Sequence, residues 1–175
     1  MDNTSFSFDL VDKYTPEQVI RNEIRQIEEA TKHYVIGEMS EYNGEIYSYT
    51  KEVGLGVALR AIQASNTIDV DIQDELGELT DERHRYEVYL KAKNMDNYKY
   101  RLMFVDYGAV AYPVTIILNE ELAVEYSGRM KDSFLIGSMK ELHNLLDKVI
   151  NSKTLLNIIQ NLINESLRRE RAKGQ

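Results

Sequence analysis

Apolar and polar residues along this chain change period several times, and each change marks an element. Phe6, Phe8 and Leu10 alternate with Ser7 and Asp9, which predicts an extended N-terminal arm over residues 1–14. Thr15-Pro16-Glu17-Gln18 then reads as a helix start, with Thr15 and Gln18 as the two ends of a capping box and Pro16 at the first helical position. Ile20, Ile24, Ile27 and Tyr34 follow at helical spacing, so an amphipathic helix is expected from about Pro16 to Tyr34.

The period shortens after that. Tyr42-Asn43-Gly44-Glu45 is a hairpin turn signal, because Asn-Gly tolerates positive φ. It predicts strands over Val35–Glu41 and Glu45–Lys51. Residues 53–64 mix helix formers with an alternation of Val57, Leu59 and Ala61 and are read as a strand. Ile68, Val70 and Ile72 alternate with Asp69, Asp71 and Gln73 as a further strand, and the acidic stretch after it reads as a loop. Tyr86, Val88, Leu90 and Ala92 are expected to point inward, with Arg85, Glu87, Tyr89, Lys91 and Lys93 outward. Past a turn at Asn94–Asn97, Tyr98, Tyr100, Leu102 and Phe104 are expected inward until Asp106-Tyr107-Gly108 breaks the run. Residues 112–118 form a strand apolar enough for burial on both faces, and Leu122–Tyr126 is either a strand or a short helix.

The chain ends in helical periods. Ser138 and Glu141 form a second capping box, Leu142, Leu145, Leu146, Val149 and Ile150 give the stripe, and Asn151-Ser152 breaks it. Leu155, Leu156, Ile158, Ile159, Leu162, Ile163 and Leu167 then cover a helix face wider than a surface helix needs. The fold class is therefore α+β: an N-terminal amphipathic helix, an antiparallel β-meander of about five to seven strands, and two C-terminal helices packed on one sheet face. Residues 15–175 read as one domain, since there is neither an internal repeat nor a Pro/Gly/Ser-rich linker.

Composition narrows the function classes. The 175 residues include no cysteine, which removes thiolate chemistry and fits a reducing, cytoplasmic setting. No signal-peptide pattern and no membrane-length apolar run occur. Twenty-one basic residues against 29 acidic ones give a net charge of −8, which disfavours a nucleic-acid partner.

Against that acidity, the hairpin stretch places Lys91, Lys93, Lys99 and Arg101 on one face beside Tyr89, with Lys91 opposite Lys99 or Arg101. Opposed like charges destabilise a sheet by a few tenths of a kcal/mol. Either Asp69 and Asp71 on a neighbouring strand offset them, or an anionic partner docks there. The over-apolar last helix supplies a second candidate contact surface at Leu155, Ile159 and Ile163.

Catalytic signatures are missing. There is no nucleophile elbow, no P-loop, and Gly54-Leu55-Gly56 lacks the third glycine of a dinucleotide fingerprint. Asp69, Asp71, Asp74 and Glu75 lack the glycine and distal glutamate of a calcium loop, and His33, His84 and His143 are scattered. No cofactor or metal is expected. Asp106-Tyr107-Gly108 beside Tyr112 reads as a turn, with a pocket wall as its alternative. The expectation is a non-enzymatic intracellular protein working through protein–protein contacts or homo-oligomerisation, an assembly subunit or small accessory or inhibitory factor. The alternatives are an enzyme whose carboxylate or metal site is scattered along the chain, and a small-ligand binder with a tyrosine-lined pocket.

Overall fold

A computed structural model describes residues 11–46 and 82–174. The arm at Phe6, Phe8 and Leu10, the strands expected beyond residue 46 and around Ile68–Ile72, and the acidic loop lie outside the described residues.

The elements run α1 (Pro16–Ala30), β1 (Val35–Glu41), β2 (Arg83–Ala92), β3 (Tyr100–Gly108), β4 (Val114–Leu118), α2 (Glu120–Ser127), β5 (Ser133–Ile136), α3 (Met139–Ile150) and α4 (Lys153–Lys173). The strands form one antiparallel sheet in the order β1-β2-β3-β4-β5. The helices pack on one face of it, so the fold is the expected α+β meander. Leu122–Tyr126 resolves to the helix α2, and β5, only four residues long, has too few positions to show a period.

Local chemistry sets the ends of the elements. Thr15 Oγ1 accepts from Gln18 N–H at 3.3 Å while Gln18 Oε1 accepts from Thr15 N–H at 3.0 Å, the reciprocal capping box. The helix stops at Ala30, four residues short of Tyr34. Lys32 and His33 take positive φ (51° and 63°), and the Thr31 hydroxyl donates to Val35 C=O at 3.1 Å and accepts from its N–H at 3.2 Å. That local bonding turns the chain directly into β1. At α3 the capping box is only half made: Ser138 accepts from Glu141 N–H, but the Glu141 carboxylate accepts from Gly137 N–H at 2.9 Å. Helix α4 is capped twice, by Ser152 and by Glu125 of α2, whose carboxylate accepts from Lys153 and Thr154 N–H at 2.7 and 2.9 Å.

The main core lies between the sheet and the helices. Ile20 and Ile24 from α1, Val88 and Leu90 from β2, Ile116 from β4, and Leu142, Leu145 and Leu146 from α3 meet in it. Leu155 and Leu162 of α4 are buried in the same core, with Ile158, Ile159 and Ile163 packed against it. Most of the wide apolar face of α4 is thus used within the chain, and Leu156 alone of that stripe is half exposed, at 51%.

One register feature departs from simple alternation. Val88 pairs with Met103 but Tyr89 pairs with Arg101, so Leu102 is an extra residue in β3, a β-bulge. Leu102 and Met103 both enter the main core. Every residue beyond them on β3 changes face relative to the expectation. Phe104 lies on the opposite face, which carries no helix among the described residues and is called the helix-free face below, in a small second cluster with Ile46, Ile117 and Tyr42, and Asp106 joins that face while Tyr107 turns into the core. Strand β3 also continues through Asp106-Tyr107-Gly108, where a turn was expected.

Helix α1 crosses β1 where Gly37 stands. A Cβ at that position would lie 2.7 Å from Ile24 Cβ and 3.1 Å from Ile24 C=O. Gly37→Ala should therefore force helix and strand apart and lower stability by about 1–3 kcal/mol, the usual cost of overpacking. Urea unfolding of the variant checks this, and an unchanged midpoint would contradict the close crossing.

Candidate functional site: a cationic sheet face

The helix-free face of the sheet carries most of the hairpin residues singled out from the sequence. Strand parity places Ile36, Glu38 and Ser40 of β1, Arg83, Arg85, Glu87, Tyr89 and Lys91 of β2, and Arg101, Phe104 and Asp106 of β3 on this face. Lys99 joins them from the turn by donating to the Glu87 carboxylate at 2.6 Å.

Two carboxylates organise the centre. Asp106, with its side chain 10% exposed, receives both Arg83 Nε on Oδ1 and Arg83 Nη2 on Oδ2 at 2.7 Å, and Arg85 Nε stands 3.8 Å from Oδ2. Glu87, 9% exposed, receives Lys99 and has Arg101 Nε at 3.9 Å from Oε1. A nearly buried carboxylate is tolerable because it is charge-paired and hydrogen-bonded. At the β1 edge Glu38 accepts from Tyr89 Oη and pairs with Lys91 Nζ, each at 2.8 Å. The hydrogen bond from Lys91, then that from Tyr89, outweighs partial burial and holds the Glu38 carboxyl below the usual carboxylate range.

Aromatic rings hold the same cations from below. Lys91 and Lys99 Nζ lie 5.4 and 4.7 Å from the Tyr89 ring centroid, and the Arg101 guanidinium lies 4.6 Å from that of Phe104. Tyr89 and Phe104 are themselves buried, so neither presents an open ring on which a base could stack.

The opposed-charge problem is settled by residues of the sheet itself. Across the hairpin Arg101 stands opposite Tyr89, and the last pair, Leu90 with Tyr100, sets Lys99 across from Lys91, both ammonium groups lying over the Tyr89 ring. The counter-charges of Lys91, Lys99 and Arg101 are Glu38 and Glu87. Asp69 and Asp71, the expected counter-charges, lie outside the described residues. Glu87 was legible as an outward residue of β2, but its neighbours could be paired with it only once the hairpin register was known.

The remaining candidates are placed elsewhere. Lys93 leaves the face and pairs with Glu170 of α4 at 2.7 Å, its Nζ lying 5.2 Å from the Tyr34 ring centroid. Arg169 and Lys173 of α4 reach the hairpin turn and donate to Asn94. Leu155, Ile159 and Ile163 are on the opposite, helical side; Leu155 is fully buried there. Tyr107 and Tyr112 are buried in the main core, on the other side of the sheet from Asp106, so the three do not share a pocket wall. Burial pushes the Tyr112 hydroxyl up to about 12. A groove of about 490 Å³ between α1 and α3, lined by Arg21, Arg25 and His143 among others, contains a single tyrosine, Tyr14.

His33, His84 and His143 each face a different glutamate: Glu28, Glu82 and Glu23. Among the described residues, no three of His, Asp and Glu converge on a point. Asp69, Asp71, Asp74 and Glu75 lie outside the described residues. Among the described residues no helix is long and apolar enough to cross a membrane. No family model, curated protein or solved structure matches the chain.

The depressed carboxyl of Glu38 fixes the sign of a pH effect. Its charged form is favoured by folding, so its contribution is fully present above the unfolded value near 4.5 and is lost as pH falls through the lower folded value. Urea unfolding of the parent and of Glu38→Gln should thus differ at pH 7 and converge as the pH falls well below 4.5. A difference that persists unchanged into that acid range would contradict the Lys91–Glu38 pair.

Proposed function

We propose that this chain is a non-enzymatic protein that receives an acidic protein surface on its helix-free sheet face. One observation carries the reading. In a chain of net charge −8, the strands and hairpin place Arg83, Arg85, Lys91, Lys99 and Arg101 on that face against Glu38, Glu87 and Asp106, a surplus of two positive charges among these described residues.

Three physical points support it. At the centre of the face the acids are inward and the cations outward: Glu87 and Asp106 side chains are 9% and 10% exposed, whereas Arg83, Lys99 and Arg101 are 63%, 51% and 48% exposed; at the β1 edge Glu38 and Lys91 are equally exposed. A partner therefore meets cations first. A carboxylate does not use up the donors of two basic side chains, since an ammonium has three and a guanidinium five. Long basic side chains normally lose about 0.5–1.5 kcal/mol each in rotamer freedom on binding, and the carboxylates and rings beneath these already restrict them.

Magnitude decides what the charges do. A partner carboxylate ~4 Å from one surplus cation gains about 1 kcal/mol in bulk water and about 4 at an effective dielectric of about 20. That is too little for a lasting complex by itself. The charges govern encounter rate and choice of partner, and apolar contacts around them supply residence time. The reading places the protein in the cytoplasm, consistent with the absence of cysteine. Homo-oligomerisation through α4 has less support, because Leu155 is buried and Ile159 and Ile163 already pack on their own core.

Calorimetric titration with an oligo-glutamate peptide tests the reading. Affinity should fall steeply between 50 and 200 mM salt, a range that brackets the ~10 Å screening length at 0.1 M. Replacing Lys91, Lys99 and Arg101 together by glutamine should weaken binding by about tenfold or more while the chain stays folded. Equal affinity of parent and triple variant would contradict the proposal, as would stronger binding of a single-stranded oligonucleotide.

A further inference from the structure

Of all the asparagines in the chain, Asn43 alone is followed by glycine. The pair lies just beyond the last bond between β1 and β2, where Tyr42 N–H donates to Arg85 C=O at 2.9 Å. Both residues are exposed, and neither the Asn43 side-chain amide nor the Gly44 N–H makes a hydrogen bond among the described residues. Asn43 lines a notch of about 160 Å³ at one end of the cationic face, together with Glu41, Arg83 and Arg85.

Packing fixes glycine at residue 44. A Cβ there would lie 2.5 Å from Tyr42 Oη and 2.6 Å from Tyr42 Cζ. The Tyr42 ring is held in turn by Phe104, with 4.7 Å between ring centroids, and by its hydroxyl, which donates to Glu45 C=O at 3.0 Å. The fold therefore keeps after Asn43 the residue type whose nitrogen is least shielded and whose backbone is freest to turn.

An asparagine so placed closes on the backbone. The Gly44 nitrogen gives up its proton to solvent and attacks Asn43 Cγ. The new N–Cγ bond completes a five-membered succinimide, the Cγ–Nδ2 bond breaks, and Nδ2 takes up a proton and leaves as ammonia. Solvent water then opens the ring. Cleavage at Cγ gives aspartate in the ordinary chain; cleavage at the backbone carbonyl gives isoaspartate. One water is consumed and one ammonia released, nothing is oxidised or reduced, and a neutral amide becomes a carboxylate. Asn22 in α1 and Asn144 in α3 are exposed as well, but the N–H that follows each is tied into its helix and carries a bulky residue.

We propose that Asn43 is a self-modifying site, converted through Gly44 to a carboxylate that lowers the charge of the docking face. This rests on the reading of that face as an acidic-protein site and adds its regulation by an irreversible step. The surplus of two positive charges among the described residues of the face falls to one, and the new carboxylate joins Glu41 at the notch. An acidic partner then meets one more like charge, a penalty of about two- to threefold in affinity for charges ~6–9 Å apart in water.

Peptide mapping by mass spectrometry of the full folded chain, incubated at mildly alkaline pH, follows the amide-to-acid mass gain at each asparagine. Conversion is expected at Asn43, faster as the pH rises, with Asn22 and Asn144 unchanged and no conversion at that position in Asn43→Gln. An intact Asn43 in the folded chain, under conditions where a synthetic peptide of residues 40–46 converts, would overturn the site. Titration with the oligo-glutamate peptide at low salt tests the link to docking. The converted chain and Asn43→Asp should bind about two- to threefold more weakly than fresh parent, and incubated Asn43→Gln should match fresh parent. Equal affinity of fresh and converted chains would contradict the regulation. If fresh parent does not bind at all, the docking reading and the regulation built on it are both wrong, and the mapping decides the self-modification separately.

Discussion

One extra residue in β3 determines the chemistry of the sheet. Because Leu102 has no partner between the Val88–Met103 and Tyr89–Arg101 pairs, residues before it and after it obey opposite parities. Lys99 and Arg101 reach the helix-free face under the first parity, and Phe104 and Asp106 reach it under the second. Without the bulge, Asp106 would enter the apolar core, where an unpaired carboxylate is costly, and Tyr107 would leave it. The bulge is itself held: Leu102 C=O accepts from Asn119 N–H at 2.8 Å, at the residue that caps α2. Its carbonyl is therefore satisfied by the same segment that starts the next helix.

From this register follows a division of labour between the two faces. The helical face contains the main apolar core and supplies most of the burial that drives folding. Among the described residues the other face carries a small apolar cluster, around Phe104 and Ile117, and ion pairs at the surface, which contribute little to stability each. On the reading proposed above, the basic side chains held there are available to a partner. Lys93 and Glu170 then connect the end of the hairpin to α4, so the far end of the face is fixed to the helical layer.

The sequence was most readable where local chemistry and period agreed. The Thr15–Gln18 box, the β2 alternation and the Ser152 break all appear where their residues imply. It was least readable where several apolar residues are adjacent. Leu102-Met103-Phe104-Val105 fits either parity, so nothing in the run marks the slip, and Phe104 is assigned to the wrong face. The end of α1 was hidden for another reason: Lys32 and His33 adopt positive φ, and no glycine or proline announces it. Pairs distant in sequence, such as Lys93 with Glu170 and Tyr86 with Glu17, carry no local signal at all. The site was legible as a group of like charges on one face. Its counter-charges became visible only with the register of β1 against β2 and β2 against β3.

The register at the bulge is the claim on which the account of the charged face depends. Cross-strand nuclear Overhauser contacts between backbone protons of β2 and β3 measure it directly. The account predicts Tyr89 opposite Arg101 and Glu87 opposite Phe104, with Leu102 unpaired. Continuous pairing, with Val88 opposite Leu102 and Glu87 opposite Met103, would contradict it.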